Sequence, residues 1–201
     1  MNLFTGTIAD FRRRLREGVL IPMMTAAFEE SMLAAAGSSE IASWTNSLPA
    51  LESAIPPELN DAAVLLEYML PLTSKRIDVL LLANDDLGRP TASVIELKQW
   101  GEATLDEGTA IVEVGNRRLL HPQQQVAQYV QYLEDFHSMV QDDGLRVAGC
   151  AYLHNATKQT VATLSGSDFE HLKRFPFFTG DEVPEFVQWL RARLGGGEAS
   201  L

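Results

Sequence analysis

Cysteine is nearly absent from this sequence, in which Cys150 is the only one among 201 residues. A single thiol cannot form an internal disulfide, and it cannot supply a cysteine-based zinc site. The four histidines are scattered along the chain without the spacing of zinc ligands. Structural zinc proteins and disulfide-stabilised proteins are therefore excluded. Cys150 stands in an apolar run typical of a strand, and we expect it in the core.

Long apolar runs are missing as well, and none is long enough to span a bilayer. The basic segment RRRLR at residues 12–16 follows the first apolar residues, whereas in a signal peptide it would precede them. The sequence also has no internal repeats and no phosphate-binding G-x-x-x-x-G-K-[ST] loop. We therefore expect a cytoplasmic protein without a membrane partner. Any motor driven by nucleoside triphosphates through such a loop would lie on a further part of the chain or on another protein.

Basic residues are few relative to acidic ones, with 16 Lys and Arg against 27 Asp and Glu and a net charge of −11. This imbalance argues against a nucleic-acid partner, because binding a polyanion normally requires a basic surface. Basic residues do cluster at 12–16, 75–76, 117–118 and 173–174, although each cluster is more typical of a solvated face. A separate DNA-binding domain or a protein partner could supply the basic surface that this chain lacks.

Residues 76–100 are interpreted as a β-hairpin. Two aliphatic runs, 77–83 and 93–97, flank a turn segment rich in Asn, Asp, Gly and Pro. We assume a register symmetric about Leu87. Both faces of this hairpin are largely apolar, so we expect it to be central in a sheet and covered by helices on each side.

Charged residues interrupt both runs of the hairpin. In the assumed register Asp78 lies opposite Glu96, and Arg76 lies opposite Lys98, all on one face. Opposed carboxylates repel each other, and a divalent cation with oxygen ligands would relieve the repulsion. Lys98 could then orient a water or stabilise charge on a phosphate. Spacing alone leaves an alternative equally open, a ladder of ion pairs on a solvated face. In that ladder Asp78 forms an ion pair with Lys98, and Glu96 forms one with Arg76.

The order of these residues resembles a known signature. Asp78, the hairpin and then Glu96-Leu97-Lys98 resemble the D…(D/E)xK motif of the PD-(D/E)xK nuclease superfamily, and Gln125 with Tyr129 resembles the QxxxY motif of its RecB-like branch. Over most of residues 38–160 the chain is also similar to a bacterial family in which a nuclease-like domain precedes a Schlafen-like helicase domain. The segments that carry this likeness are Ser43 to Pro49, Leu66-Glu67-Tyr68, Thr73 to Asp78, Ile95 to Trp100, His121-Pro122 and Ala151 to Asn155. One departure is that Ile77, and not proline, precedes Asp78.

The resemblance implies an α/β fold with a restriction-endonuclease-like core, in which helices flank a mixed central β-sheet. It implies metal-dependent hydrolysis of nucleic acid, with DNA as the expected substrate, within a larger helicase-associated defence or repair protein. Asp78 and Glu96 would hold Mg²⁺ or Mn²⁺, with Glu67 as a further metal ligand. Lys98 would assist the attacking water, and Gln125 with Tyr129 would position it. The alternative is a nuclease-like module that binds or regulates without catalysis.

The chain is predicted to form one domain over residues 1–194, followed by a flexible tail or linker at 195–201. Within the domain we expect a helical layer at 1–56, a catalytic core at 62–160 and C-terminal helices at 167–194. Hydrophobic spacing predicts helices at 7–15, 22–36, from 38 to the prolines at 56–57, and at 123–140. Besides the hairpin, strands are expected at 62–70, 109–114 and 145–154, and a sheet of four or five strands results.

Overall fold

A computed structural model describes residues 2–106, 108–136, 144–166 and 170–195 of the chain. The strands are β1 (Phe4–Thr7), β2 (Ala63–Met69), β3 (Arg76–Asn84), β4 (Pro90–Lys98), β5 (Thr104–Leu105), β6 (Ile111–Val114), β7 (Arg117–Leu120), β8 (Arg146–Leu153) and β9 (Phe177–Thr179). The α-helices are α1 (Ile8–Arg16), α2 (Leu20–Met32), α3 (Ser38–Ala54), α4 (Pro122–Phe136) and α5 (Val183–Leu194). Short 3-10 helices occur at Pro57–Leu59, Ala162–Gly166 and Glu170–Arg174.

A mixed sheet of six strands forms the centre of the molecule, in the order β1-β2-β3-β4-β8-β9. Its first four strands pair antiparallel, and β8 and β9 add parallel to β4. The step from β4 through α4 to β8 therefore makes the predicted parallel crossover. In the hairpin Val79 pairs with Ile95 and Ala83 with Thr91, which is the register symmetric about Leu87. The predicted α/β class and hairpin register are confirmed.

Helices cover both faces of the hairpin, as its two-sided apolar pattern predicts. On one face Leu81 and Ile95 belong to a core shared with α1, α2, α3 and α5. On the other face Leu80 and Val94 pack with α4. The helices therefore bury alternate residues of the same strands.

Close packing holds α4 against the sheet. A Cβ atom at Gly149 of β8 would lie 2.4 Å from Val126 Cγ1 and 2.9 Å from Val130 Cγ2, both side chains of α4. Carbon atoms that are not bonded to each other do not approach this closely. The helix can therefore approach β8 only because residue 149 has no side chain, and this approach sets the height of α4 above the candidate site.

The N-terminal layer differs from the prediction in two respects. It is not wholly helical, because Phe4–Thr7 adds an edge strand to β2. Four residues are too few to give a recognisable alternation, so this strand depends on its tertiary partner. Thr7 ends it and caps α1, with its side-chain oxygen accepting from the Asp10 amide at 3.1 Å. Helix α2 runs from Leu20 to Met32 and not over residues 22–36, and Leu33 follows it in a left-handed conformation with φ 52°.

The strand predicted at 109–114 is real but shorter, and it lies outside the central sheet. Ile111–Val114 pairs with β5 and with Arg117–Leu120 in a separate sheet of three strands. Two further strands, Arg117–Leu120 and Phe177–Thr179, were not predicted. Alternation indicates that a strand exists, but not which sheet it joins.

Some predicted features fall partly outside the described residues. They are the last turn of the helix expected at 123–140, the start of the helix expected at 167, and the tail at 196–201. Of the C-terminal helices, Glu170–Arg174 is a 3-10 helix and Val183–Leu194 is the predicted α-helix. None of the helices described is both long and apolar enough to cross a membrane.

Candidate functional site

Three neighbouring strands place a carboxylate at the same level of the central sheet. In the ladder between β2 and β3, Leu66 pairs with Val79 and Tyr68 pairs with Ile77. Glu67 and Asp78 lie between these two pairs and therefore face each other. The ladder between β3 and β4 continues as far as Val79, and the same register then brings Glu96 beside Asp78. The two carboxylates predicted to be opposed are therefore neighbours, and the predicted third ligand, Glu67, extends the row.

The backbone at Glu67 is unusual for a strand. Its φ of 53° lies in the left-handed region, which a non-glycine residue adopts at a cost of about 1–3 kcal/mol. Such a conformation persists only where the surroundings fix it. Here the Trp44 indole donates to Glu67 Oε1 at 2.9 Å, and Arg76 Nε lies 3.3 Å from Glu67 Oε2. The side chain is thereby held toward the row of carboxylates.

Asp78 and Glu96 have few polar neighbours in the described part of the chain. Asp78 Oδ2 accepts from the backbone amide of Leu97 at 2.7 Å. Glu96, which is 2% exposed, contacts Lys98 Nζ through Oε1 at 2.6 Å. Its other oxygen, Oε2, is buried and has no hydrogen-bond partner among the described residues. A buried carboxylate with one unused oxygen is costly, and it is suited to accept a further ligand.

Burial raises the pKa values of all three acids, and repulsion from Asp78 adds to the effect at two of them. Burial, and then the charge of Asp78, raises the pKa of Glu96 to about 8 and that of Glu67 to about 7. Burial also raises the pKa of Asp78. At Lys98 burial alone would lower the pKa, but the charges of Glu96 and Asp78 raise it. Full ionisation of this row of carboxylates at neutral pH is therefore unfavourable unless a cation is present.

Helix α4 supplies the other two predicted site residues. Lys98 Nζ donates to Gln125 Oε1 at 3.0 Å, and Gln125 Nε2 donates to Tyr129 Oη at 2.8 Å. Burial, followed by the charge of Glu96, raises the pKa of Tyr129, which therefore stays protonated. The structure thus brings Asp78, Glu96, Lys98, Gln125 and Tyr129 together, and Glu67 adjoins them.

The ion pairs at this site differ from the alternative cross-strand ladder. Lys98 pairs with Glu96 of its own strand. Arg76 pairs with Glu40 of α3 at 2.5 Å and with Glu67 at 3.3 Å. The site is also enclosed, whereas a ladder on a solvated face would be open to water. Only the ladder alternative paired Arg76 with Glu96, and that pairing is wrong. The contact with Glu40, 36 positions away, leaves no local signal in the sequence.

A divalent cation is compatible with these residues. Among the residues described, no group of three or more His, Cys, Asp or Glu side chains has the arrangement of a metal site. Mg²⁺, however, commonly binds through one or two carboxylates and keeps its waters. Asp78 and Glu96 offer two carboxylates, one of which has a buried oxygen without a partner. A cation would also offset the repulsion that raises their pKa values.

A groove of about 780 Å³ opens beside Lys98. Its walls come from the first turns of α3, from the end of β4 and from the β6–β7 hairpin. Two basic residues, Lys98 and Arg117, line it together with Trp100, and the Lys98 ammonium lies 5.4 Å from the Trp100 ring centre. Arg117 has no acidic partner in the described part of the chain, whereas the adjacent Arg118 pairs with Asp106. The sequence indicated a basic cluster here but not its position beside the site.

Comparison with known proteins yields no match, either among protein-family models or among curated proteins.

Proposed function

We propose that this chain is a metal-dependent nuclease that hydrolyses phosphodiester bonds of nucleic acid, with DNA as the expected substrate. The observation that carries the proposal is the unbroken contact from Tyr129 through Gln125 and Lys98 to Glu96, beside Asp78. Buried charges are costly, and a set of raised pKa values in one enclosed site is typical of functional residues. A role within a larger helicase-associated defence or repair protein is part of the same proposal.

Asp78 and Glu96 would hold Mg²⁺ or Mn²⁺, and Glu67 would be a further ligand or would adjust the charge of the site. The cation would supply Lewis acidity and would favour ionisation of a bound water. For these carboxylates to act as ligands they must be deprotonated. The raised pKa values of Glu96 and Glu67, about 8 and about 7, imply that cation binding releases protons near neutral pH.

Lys98 would orient the attacking water and stabilise negative charge on the phosphate. Its ammonium has three donor positions, of which the contacts with Glu96 and Gln125 use two. The third is left for the reacting groups. Tyr129 donates no proton to the reaction in this scheme. Its hydroxyl accepts from the Gln125 amide and so fixes which end of that amide faces Lys98.

The groove beside Lys98 would receive the nucleic acid strand. It leads along the β6–β7 hairpin, where Arg117 could contact a backbone phosphate. Lys98 and Arg117 outnumber Glu102 along the walls, so the groove is less acidic than the chain as a whole. This local balance weakens the objection from the net charge. Affinity from so few basic contacts would be modest and would fall with added salt.

The proposal is tested by incubating the purified protein with labelled linear and circular DNA, single-stranded and double-stranded, with and without Mn²⁺. Cleavage that requires the cation and is lost in Asp78→Asn supports it. Lys75→Ala is the matched control, because Lys75 is an exposed lysine near the site that contacts Gln128 instead of a carboxylate. Absence of cleavage of DNA and RNA under every metal condition would contradict the proposal.

A nuclease-like module without catalysis is the second candidate function. It is favoured by the 2.6 Å contact of Lys98 with Glu96, which already neutralises one carboxylate, and by the net charge of −11, which suits a basic protein partner. The two functions differ in one measurement. A binding module would engage its partner equally well with Lys98→Ala, whereas a nuclease would lose turnover.

A further inference from the structure

A cavity of about 230 Å³, open to solvent on one side, lies at the turn end of the β3–β4 hairpin. There the hairpin meets the start of β8 and the end of α5. This cavity is distinct from the candidate nuclease site. Asp78 and Glu96 stand toward the opposite end of the strands, where Lys98 contacts Gln125 of α4. Thr91, by contrast, contacts the end of α5.

Small side chains leave this space open. Ser93 and Ala148 pair across β4 and β8, and both line the cavity together with Ala192 of α5. Thr91 donates through Oγ1 to the backbone carbonyl of Arg193 at 2.9 Å, which fastens the end of α5 to the sheet. The helix therefore cannot easily settle onto the small residues and fill the space. The cavity is a fixed feature of this end of the fold.

The walls of the cavity are basic in a chain whose net charge is −11. Arg89, Arg146 and Arg193 line it, and Asp85 is the one acidic residue beside them. Asp85 pairs with Arg89 at 2.6 Å and also accepts from the Arg89 amide, so its charge is already used. Neither Arg146 nor Arg193 has an acidic partner among the described residues. Both guanidinium groups are therefore available to an anion that enters the cavity.

Ser93 adds an independent observation. It is 0% exposed, and its hydroxyl has no hydrogen-bond partner in the part of the chain that the structure describes. Leaving a buried hydroxyl unpaired destabilises the fold. A phosphate oxygen accepts hydrogen bonds from both hydroxyl and guanidinium groups, so one such ligand would satisfy Ser93 and the arginines together.

Part of this cluster of basic residues has a structural role, because Arg193 caps the end of α5. Arg193 Nη1 donates to the Trp189 carbonyl at 3.2 Å, and its guanidinium lies 4.3 Å from the Trp189 ring centre. These contacts give Arg193 a structural role at the end of α5. They do not involve Arg146, and they do not satisfy Ser93.

We propose that this cavity is a binding site for a phosphate group, supplied either as inorganic phosphate or by a nucleotide. A cavity of about 230 Å³ is large enough to admit a phosphate group. Ser93 and the guanidinium groups of Arg146 and Arg193 contact the phosphate oxygens. The site does not depend on the nuclease function, and it would exist equally in a binding module.

Isothermal titration calorimetry with inorganic phosphate, at constant ionic strength in sodium chloride, tests the site. The wild type should bind saturably, and Arg146→Ala should bind at least tenfold more weakly. Arg146 is exposed, so this variant should fold normally. Arg191→Ala is the matched control, because Arg191 is on α5 like Arg193 but pairs with Glu58, and it should bind as the wild type does. This control also separates site binding from the general stabilisation that phosphate exerts on proteins.

Two further arms sharpen the test. Ser93→Ala should bind phosphate more weakly while its phosphate-free melting temperature stays equal or rises, because an unpaired hydroxyl is removed. Titration with adenosine monophosphate and with adenosine separates the two sources of the ligand. Tighter binding of the monophosphate than of inorganic phosphate identifies a nucleotide, and equal binding identifies free phosphate. The proposal is overturned if the wild type shows no saturable binding, if Arg146→Ala and Arg191→Ala bind phosphate alike, or if adenosine binds as well as its monophosphate.

Discussion

The two ends of the β3–β4 hairpin use carboxylates in opposite ways. At the turn, Asp85 accepts from the amides of Leu87 and Arg89 and pairs with the Arg89 guanidinium, and these contacts lower its pKa to about 2. At the open end, Glu96 has one oxygen without a partner in the described part of the chain, and its pKa rises to about 8. The turn carboxylate stabilises the fold, whereas the buried one opposes folding and so points to a function.

Lys98→Ala should produce the largest effect. Removing a group that stabilises the transition state typically lowers the rate by on the order of a hundredfold or more. Metal binding should persist because it depends on Asp78 and Glu96. Single-turnover cleavage with Mn²⁺ measures the rate, and calorimetry measures the binding of the cation. A variant that keeps full cleavage activity would refute the catalytic role of Lys98. The contrast drawn between the two ends of the hairpin would then have no functional meaning.

Asp78→Asn should lose the binding of Mn²⁺ while remaining folded. In the wild type a cation at a hundred times its dissociation constant should stabilise the fold by about 2.7 kcal/mol, because only the native state binds it. Without metal the variant should melt at the same temperature as the wild type or slightly higher, because one of three mutually repelling charges is gone. Melting curves with and without Mn²⁺ measure both effects. A full Mn²⁺ shift in the variant would place the cation elsewhere.

Arg117→Ala should weaken nucleic-acid binding several-fold and reduce the slope of log affinity against log salt by about 1, as expected for one lost phosphate contact. Arg118→Ala is the control, because Arg118 neighbours Arg117 but pairs with Asp106. Fluorescence anisotropy of a labelled oligonucleotide, in a buffer without divalent cations, gives both quantities. Equal losses in the two variants would mean that the groove is not the path of the substrate.

The stability of the metal-free protein should fall as pH rises from about 4.5 toward 8. Glu96 and Glu67 have folded-state pKa values of about 8 and about 7, above the ordinary glutamate value of 4.5. The native state therefore binds more protons than the unfolded state in this window, and its advantage is lost as the acids ionise. Glu67→Gln should flatten the dependence. Urea unfolding across this pH range measures it, and stability that rises with pH would show that the carboxylates are not destabilising.

Asp85→Ala should have the smallest effect. The exposed turn loses an ion pair and two hydrogen bonds to backbone amides, so the melting temperature should fall by a few degrees, while metal binding and cleavage should not change. Scanning calorimetry and the cleavage assay check the two outcomes. A large loss of activity would show that the turn and the open end are coupled, which the comparison above does not anticipate.

The hairpin register could be predicted because its causes are local. The alternation in the two runs and the turn centred on Leu87 fix which residues face each other, and from this follow the neighbouring positions of Asp78 and Glu96. The QxxxY spacing likewise places Gln125 and Tyr129 one helical turn apart. The structure adds the hydrogen bond between them and the contact of Gln125 with Lys98.

Other parts of the site have causes that are distant in sequence. The left-handed backbone of Glu67 depends on contacts with Trp44 and Arg76, and Arg76 in turn depends on Glu40 of another layer. Edge strand β1 is stabilised by its pairing with β2, which is distant in sequence. No window of sequence contains these relationships, so the pattern predicted the existence of a site but not the contacts that enclose it.

Gly149 has a consequence for how mutational screens of this protein would be interpreted. A larger residue there would push α4 outward, and with it Gln125, away from the amine that it steadies. Activity would then drop although the changed position touches no reacting group and lies on a different strand from Asp78, Glu96 and Lys98. A screen scored by activity alone would rank this glycine with those residues. The loss would come from the displacement of Gln125, and a second substitution with a smaller residue at Val126 could restore activity.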